Sequence, residues 1–138
     1  MITIRKQEIV KLEDVLHLYQ AVGWTNYTHQ PEMLEQALSH SLVIYVALDG
    51  DAVVGLIRLV GDRFSSVLVQ DLIVLPIYQR QGIGSLLMKE ALKDYKDAYQ
   101  VQLVTEETEK NVRFYRSIGF EVLSTYDCIG MTWANREK

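Results

Sequence analysis

The residues best suited to chemistry are Gln79-Arg80-Gln81-Gly82-Ile83-Gly84, and the chemistry they suit is anion capture. Before them lies Val67 to Leu75, apolar from Leu72 to Leu75 and rich in branched residues, ended by Pro76. After them come Ile83, Leu87, Ala91 and Tyr95 at helical spacing, with Lys89, Glu90, Lys93 and Asp94 on polar positions. The pattern predicts a strand, a glycine turn and an amphipathic helix. A helix starts with unpaired N–H groups and the positive end of its dipole. Gly82 and Gly84 lack a Cβ, so a phosphate can approach the backbone closely. The expected result is a pyrophosphate cradle of main-chain donors, with the Arg80 charge beside it. The plain alternative is an ordinary strand–helix turn that happens to hold two glycines.

Two nucleotide readings of this turn fail. A P-loop needs a lysine after its second glycine, and Gly84 is followed by Ser85 and Leu86. A dinucleotide fingerprint needs a third glycine where Leu87 stands.

The turn instead fits Q/R-x-x-G-x-G/A, preceded by Asp71-Leu72-Ile73-Val74-Leu75-Pro76. Further on, Phe114-Tyr115-Arg116-Ser117-Ile118-Gly119-Phe120 fits F-Y-x-x-x-G-F. The two motifs, in this order, resemble those of the GCN5-related N-acetyltransferases (GNAT). The resemblance covers nearly the whole chain, the N-terminal part in pattern only. It implies acetyl-CoA as co-substrate, no metal, and direct acetyl transfer to a primary amine; a single domain with no added recognition module favours a small molecule over a protein as acceptor. It also implies an α/β fold with a mostly antiparallel six- or seven-stranded sheet, a splayed parallel pair at its centre and about four helices.

Direct transfer needs a neutral amine, a polarised thioester carbonyl and a stabilised leaving thiolate. By resemblance, Tyr115 is the acid that protonates the thiolate, and the Val74 N–H on the preceding strand holds the oxyanion. Ile73 and Val74 would pair their main chain with pantetheine. Gln79, Arg80, Gln81, Gly82, Ile83, Gly84 and Ser85 would take the pyrophosphate. The base is open. Many relatives carry a strand glutamate where Gln70 stands here. Asp71 lies on the opposite strand face, and Glu106 is a second candidate, each directly or through water. The family's asparagine upstream of the motif tyrosine corresponds to Thr108, with Asn111 on roughly the same helix side, and either could bond the coenzyme. Trp24, Tyr27 and His29 fall in the segment that forms part of the acceptor wall in this family. Each has a plain alternative: Tyr115 and Trp24 as core aromatics, Asp71 as a structural acceptor, His29 and Asn111 as solvated surface residues.

Behind the site stands a chain of 138 residues, 49% hydrophobic and 23% charged, which suits one domain over residues 1–138. A net charge of −4 argues against nucleic acid or an anionic membrane surface and suits a cationic substrate. Cys128 is the sole cysteine, so no intrachain disulfide and no thiolate metal cluster is expected. No secretory leader and no apolar run of about eighteen residues is visible, so a cytoplasmic location is expected.

In chain order, Ile2 to Arg5 alternates as a strand, and Lys11 to Val22 has helical spacing with Gly23 as its C-cap. Pro31 opens a helix to Ser39. Leu42 to Leu48, Ala52 to Val60 and Val67 to Leu75 form a meander, turning at Asp49-Gly50-Asp51 and Gly61 to Ser66, with Gly55 marking a bulge. Val101 to Val104 is a strand parallel to the third of these. Thr105 to Thr108 leads a helix to Ile118, with Gly119 beyond its end. Phe120 to Thr125 and Ile129 to Trp133 are expected to close as a hairpin around Asp127, whose exposed edges give a route to a homodimer. Asn135 to Lys138 is a polar tail. An acyl-CoA-binding regulatory domain without catalysis, or an enzyme acting on a protein amine, are the competing functions.

Overall fold

The computed structural model describes residues 1–134; the polar tail at 135–138 lies outside them. The described chain divides into two compact units, Met1–Leu103 and Val104 onward.

The first unit carries the sheet. Its strands are β1 (Ile2–Gln7), β2 (Val43–Asp49), β3 (Ala52–Gly61), β4 (Ser66–Val74) and β5 (Gln100–Leu103), in the order β1-β2-β3-β4-β5. The first four are antiparallel neighbours and β5 is parallel to β4. The sheet is therefore mixed, as expected for the fold. Among the described residues it has five strands, and the parallel pair sits at one side of it rather than at its centre.

Between β1 and β2 lie α1 (Leu12–Ala21), α2 (Thr25–Thr28) and α3 (Pro31–Ser39). Val15, Leu18 and Tyr19 of α1 and Leu34 and Leu38 of α3 bury themselves with Ile44, Val46, Leu56 and Ile73 of the sheet. The single turn of α2 falls where the sequence shows no period, being too short to display one. After β4 comes α4 (Ile83–Leu92), continued by a short 3-10 turn, Lys93–Tyr95. Ile83, Leu87, Met88, Ala91 and Tyr95 are its buried face, and it packs on β2 and β3. The bulge beside Gly55 is present, with Ala47 opposite Gly55 but Leu48 opposite Val53.

The second unit consists of α5 (Glu109–Ile118), a 3-10 turn at Leu123–Tyr126 and irregular chain. The expected closing hairpin does not form among the described residues. The Asp127 N–H bonds the Ser124 carbonyl and the Cys128 N–H bonds the Leu123 carbonyl, both at 3.1 Å. These local bonds take main-chain groups that a hairpin ladder would have used, and Asp127 sits in the left-handed region at φ 59°.

Candidate active site

The glycine turn is built around Gly82, the N-cap of α4, in the left-handed region at φ 79°. A Cβ placed there would meet nothing within 4 Å, so glycine answers the torsion and the space above it is open. No side chain caps α4. Its first backbone bond runs from the Leu86 N–H to the Gly82 carbonyl at 3.1 Å. The N–H groups of Ile83, Gly84 and Ser85 therefore have no partner inside the helix. Ile83 is buried and anchors the turn, while Gln79, Arg80, Gln81, Gly82 and Ser85 are exposed. The Gln79 side chain donates to the Val74 carbonyl at 3.0 Å and ties the turn to the end of β4.

Beyond Val69, one edge of that strand has no paired strand among the described residues. The Leu75 N–H donates to the Val54 carbonyl at 2.9 Å. Antiparallel ladders alternate between bonded and non-bonded pairs. So Val74, opposite Gly55, turns its main-chain groups away from β3, as does Leu72, opposite Ile57. On that side β5 pairs only with Ser66 to Val69. The Val74 N–H thus lies on the open edge, while its carbonyl is taken by Gln79. Ile73 differs from expectation. It stands opposite Leu56, so its main chain bonds toward β3, and its side chain is buried in the core. The edge groups come from Leu72 and Val74 instead.

The register also slips between Arg58, opposite Asp71, and Leu59, opposite Val69. Gln70 is the extra residue, an exposed bulge beside the open edge. A bulge has no side-chain signature, and the sequence did not reveal it.

Asp71 is 3% exposed and fully engaged. One carboxylate oxygen accepts from the Arg58 Nε at 2.7 Å and from the Tyr19 hydroxyl at 3.0 Å, and the other accepts from the Tyr27 hydroxyl at 3.4 Å. Burial works against the Arg58 charge, but Asp71 more than offsets it and holds the guanidinium above its ordinary value. Burial, then the Asp71 charge, push the Tyr19 phenol far above its ordinary value. The carboxylate expected as a candidate base is thus enclosed and ion-paired, an arrangement that suits its plain alternative as a structural acceptor. Arg58 and Tyr19 were missed in the sequence. A lone arginine in the apolar run Ala52 to Val60 was the available signal, because a charge in a buried strand needs a partner.

Trp24 and Tyr27 are half-buried and pack with Tyr19, with ring centroids 6.0 and 5.1 Å from it. His29, at the end of α2, is exposed.

In the second unit, Thr108 is the N-cap of α5, its hydroxyl accepting from the Asn111 N–H at 3.1 Å. The Asn111 side chain donates to the Thr105 hydroxyl and the Glu106 carbonyl, both at 3.1 Å. Both candidate coenzyme contacts thus also hold the entry to α5. Glu106 is exposed, and its carboxylate has no ion-pair partner among the described residues. Tyr115 is half-buried between Phe114 and Phe120, at 5.0 and 6.1 Å between centroids. Burial raises its pKa above the ordinary 10.0, and the Thr105 hydroxyl works the other way. Gly119, at φ 120°, ends the helix, and the Phe120 N–H returns to the Tyr115 carbonyl at 3.0 Å. No group of three or more metal-ligating side chains occurs among the described residues.

The mixed sheet and its helices define an acyl-CoA N-acyltransferase fold shared with solved acetyltransferases. The family model described as acetyltransferase (GNAT) domain matches residues 7–128, and the chain belongs to the GNAT acetyltransferase family. It is similar to a solved GNAT-family acetyltransferase from Streptococcus pneumoniae, at 84% identity, covering 99% of this chain and 100% of that one with a TM-score of 0.93. It is 27% identical to an uncharacterized N-acetyltransferase, ycf52-like, from Prochlorococcus marinus, over 85% of this chain and 64% of that protein. The PaiA N-acetyltransferase of Thermoplasma acidophilum, solved in complex with coenzyme A, shares the fold at 21% identity and a TM-score of 0.73, covering 88% of this chain and 91% of that one.

Proposed function

We propose that this chain moves an acetyl group from acetyl-CoA directly to the primary amine of a small molecule. The observation that carries this reading is the uncapped, left-handed glycine start of α4, tied by Gln79 to a strand whose Val74 N–H lies on an open edge. Unpaired N–H groups at a helix start suit a pyrophosphate, and a free strand edge suits an amide-bearing arm. The solved coenzyme A complex of the PaiA enzyme from Thermoplasma acidophilum supports the same ligand class.

Acetyl-CoA supplies the activated thioester; the chain supplies position and charge control. The Ile83, Gly84 and Ser85 amides, with Arg80, hold the pyrophosphate. The Val74 N–H donates to the carbonyl oxygen as negative charge builds on it. Tyr115, kept protonated by its burial, gives its proton to the departing thiolate. Glu106, exposed and without an ion-pair partner among the described residues, takes the proton from the amine through water. Trp24 and Tyr27 offer an aromatic wall to the acceptor. Holding both substrates together supplies much of the rate.

Calorimetric titration with acetyl-CoA, free CoA and NADPH, followed by thiol release with a panel of primary amines, tests the proposal. Selective binding of the CoA species with turnover is the expected result. Absence of CoA binding removes the reading. Binding without turnover on any amine would favour an acyl-CoA-binding regulatory domain, a reading to which the uncharged Gln70 on the exposed bulge lends some support.

A further inference from the structure

Five elements of the first unit converge on one buried ion pair. Arg58 of β3 and Asp71 of β4 are direct cross-strand partners, 4% and 3% exposed, joined at 2.7 Å. Tyr19 of α1 donates to Asp71 at 3.0 Å. Tyr27 of α2 donates to Asp71 at 3.4 Å and accepts from Arg58 at 3.4 Å. Arg58 also donates to the Ala37 carbonyl of α3 at 3.4 Å and to the Ser41 hydroxyl at 3.3 Å. Among the described residues no buried side-chain polar atom is left without a partner.

A buried ion pair is a poor source of stability, because desolvation of both charges offsets their attraction and an apolar pair of similar size often does as well. What it provides is direction, since each bond fixes a distance and an angle. The element most in need of that is α2. It has a single turn, no fully buried residue and no side-chain cap. One turn of helix does not hold itself in water. Besides the Trp24 N–H bonded to the Tyr19 carbonyl at 3.0 Å and the packing of Trp24 and Tyr27 on the core, its attachments include the Tyr27 hydroxyl in the ion pair and the Tyr27 ring against Tyr19, 5.1 Å between centroids. Asp71 lies on the same strand as the open-edge groups of Leu72 and Val74.

We infer that Arg58 and Asp71 are positioning residues that clamp α2, through Tyr27, to β4, and so set the spacing between the acceptor wall and the strand proposed to hold the thioester carbonyl. The kinetic part rests on the proposed acetyltransfer; the clamp itself does not. The clamp acts on the amine side, so its loss changes acceptor recognition while the coenzyme cradle at Gly82 is left alone.

The test replaces the pair by apolar residues, Arg58→Met with Asp71→Leu, so that no charge is left buried alone, and compares it with Tyr27→Phe, which keeps the ring and removes the hydroxyl. Phenethylamine is the acceptor probe, chosen for the aromatic wall. In both variants the KM for phenethylamine should rise roughly tenfold, while the Kd for acetyl-CoA stays within about twofold. A folded variant with unchanged amine KM, or with amine KM and acetyl-CoA Kd weakened together, overturns the selective role. Hydrogen exchange reads the clamp without turnover. The α2 amides of Tyr27 to His29 should lose protection by at least about tenfold in the double variant while the β3–β4 ladder keeps its own. Unchanged α2 protection overturns the clamp even if the wild-type protein acetylates nothing, whereas failure of wild-type acetyl-CoA binding with lost α2 protection strikes only the proposed function.

Discussion

At the scale of single residues, Gly82 and Tyr115 bear the most weight, and each can be tested by two substitutions that separate geometry from chemistry. Gly82→Ala should cost about 1 kcal/mol in stability, because alanine at a left-handed torsion is strained while its methyl enters open space. Acetyl-CoA should still bind. Gly82→Asp carries the same strain plus a negative charge at the anion end of α4, and calorimetry should find coenzyme binding lost. If both variants bind equally well, the turn holds no phosphate. Tyr115→Phe should lower kcat by roughly a hundredfold, with acetyl-CoA affinity within about twofold. Because burial raises the Tyr115 pKa above 10.0, the phenol stays protonated through neutral and mildly alkaline pH. The ratio of wild-type to variant kcat should therefore be flat over that range. A ratio that collapses near neutral pH would assign the acid to another group. Glu106→Gln, by contrast, should lower kcat by roughly a hundredfold with acetyl-CoA affinity within about twofold if Glu106 takes the amine proton.

At the scale of elements, the β3–β4 turn delivers the chain into the site strand. Gly61 sits at φ 134°, where a Cβ would overlap the Ser66 carbonyl oxygen. Gly61→Ala should destabilise by roughly 3 kcal/mol, read as a drop in Tm. Asp62 ties the same turn. Its carboxylate accepts from the Ser65 hydroxyl and from the backbone N–H groups of Ser66, Ser65 and Phe64, which hold it well below its ordinary value of 3.8. A carboxylate with a depressed folded pKa stabilises above its unfolded value and loses that contribution as pH falls toward the folded one. The Tm difference between wild type and Asp62→Ala should therefore be full near neutral pH and shrink below about pH 4. Elements also show where sequence reading holds and where it stops. The strand, glycine turn and α4 were legible because apolar spacing and two glycines agree. Three features were not. The turn of α2 is shorter than a helical period, and the Gln70 bulge is a matter of ladder register alone. The alternation of Ile129, Met131 and Trp133 reads as a strand, yet a strand exists only where a second one pairs with it, and all three side chains are exposed. Arg58 was legible in principle, as the one charge amid the buried run of β3, but its partners across the sheet and on α1 and α2 could not be named from spacing.

For the molecule as a whole, the buried apolar core, from Val15 to Tyr95, falls inside the first unit. The second unit has a strongly amphipathic α5 with no fully buried residue, and Val104, Tyr126, Ile129, Met131 and Trp133 are all more than half exposed. Global stability should therefore be set in the first unit. Leu56, at 0% exposure, lies between the cluster from α1 and α3 and its β4 neighbour Ile73. Leu56→Ala leaves a cavity there and should cost about 2–5 kcal/mol. Val112→Ala on α5 is only half-buried and should cost less than about 1 kcal/mol. Exchange of backbone amides should follow the same division. Protection in β2, β3 and β4 should approach that of global unfolding and fall in parallel with Tm in Leu56→Ala, whereas α5 amides should exchange through local opening and ignore that substitution. If α5 amides instead lose protection in step with β3, the two units unfold as one cooperative body. Val112→Ala would then report on global stability as well, and the C-terminal residues named for chemistry could not be altered without disturbing the sheet that carries the coenzyme strand.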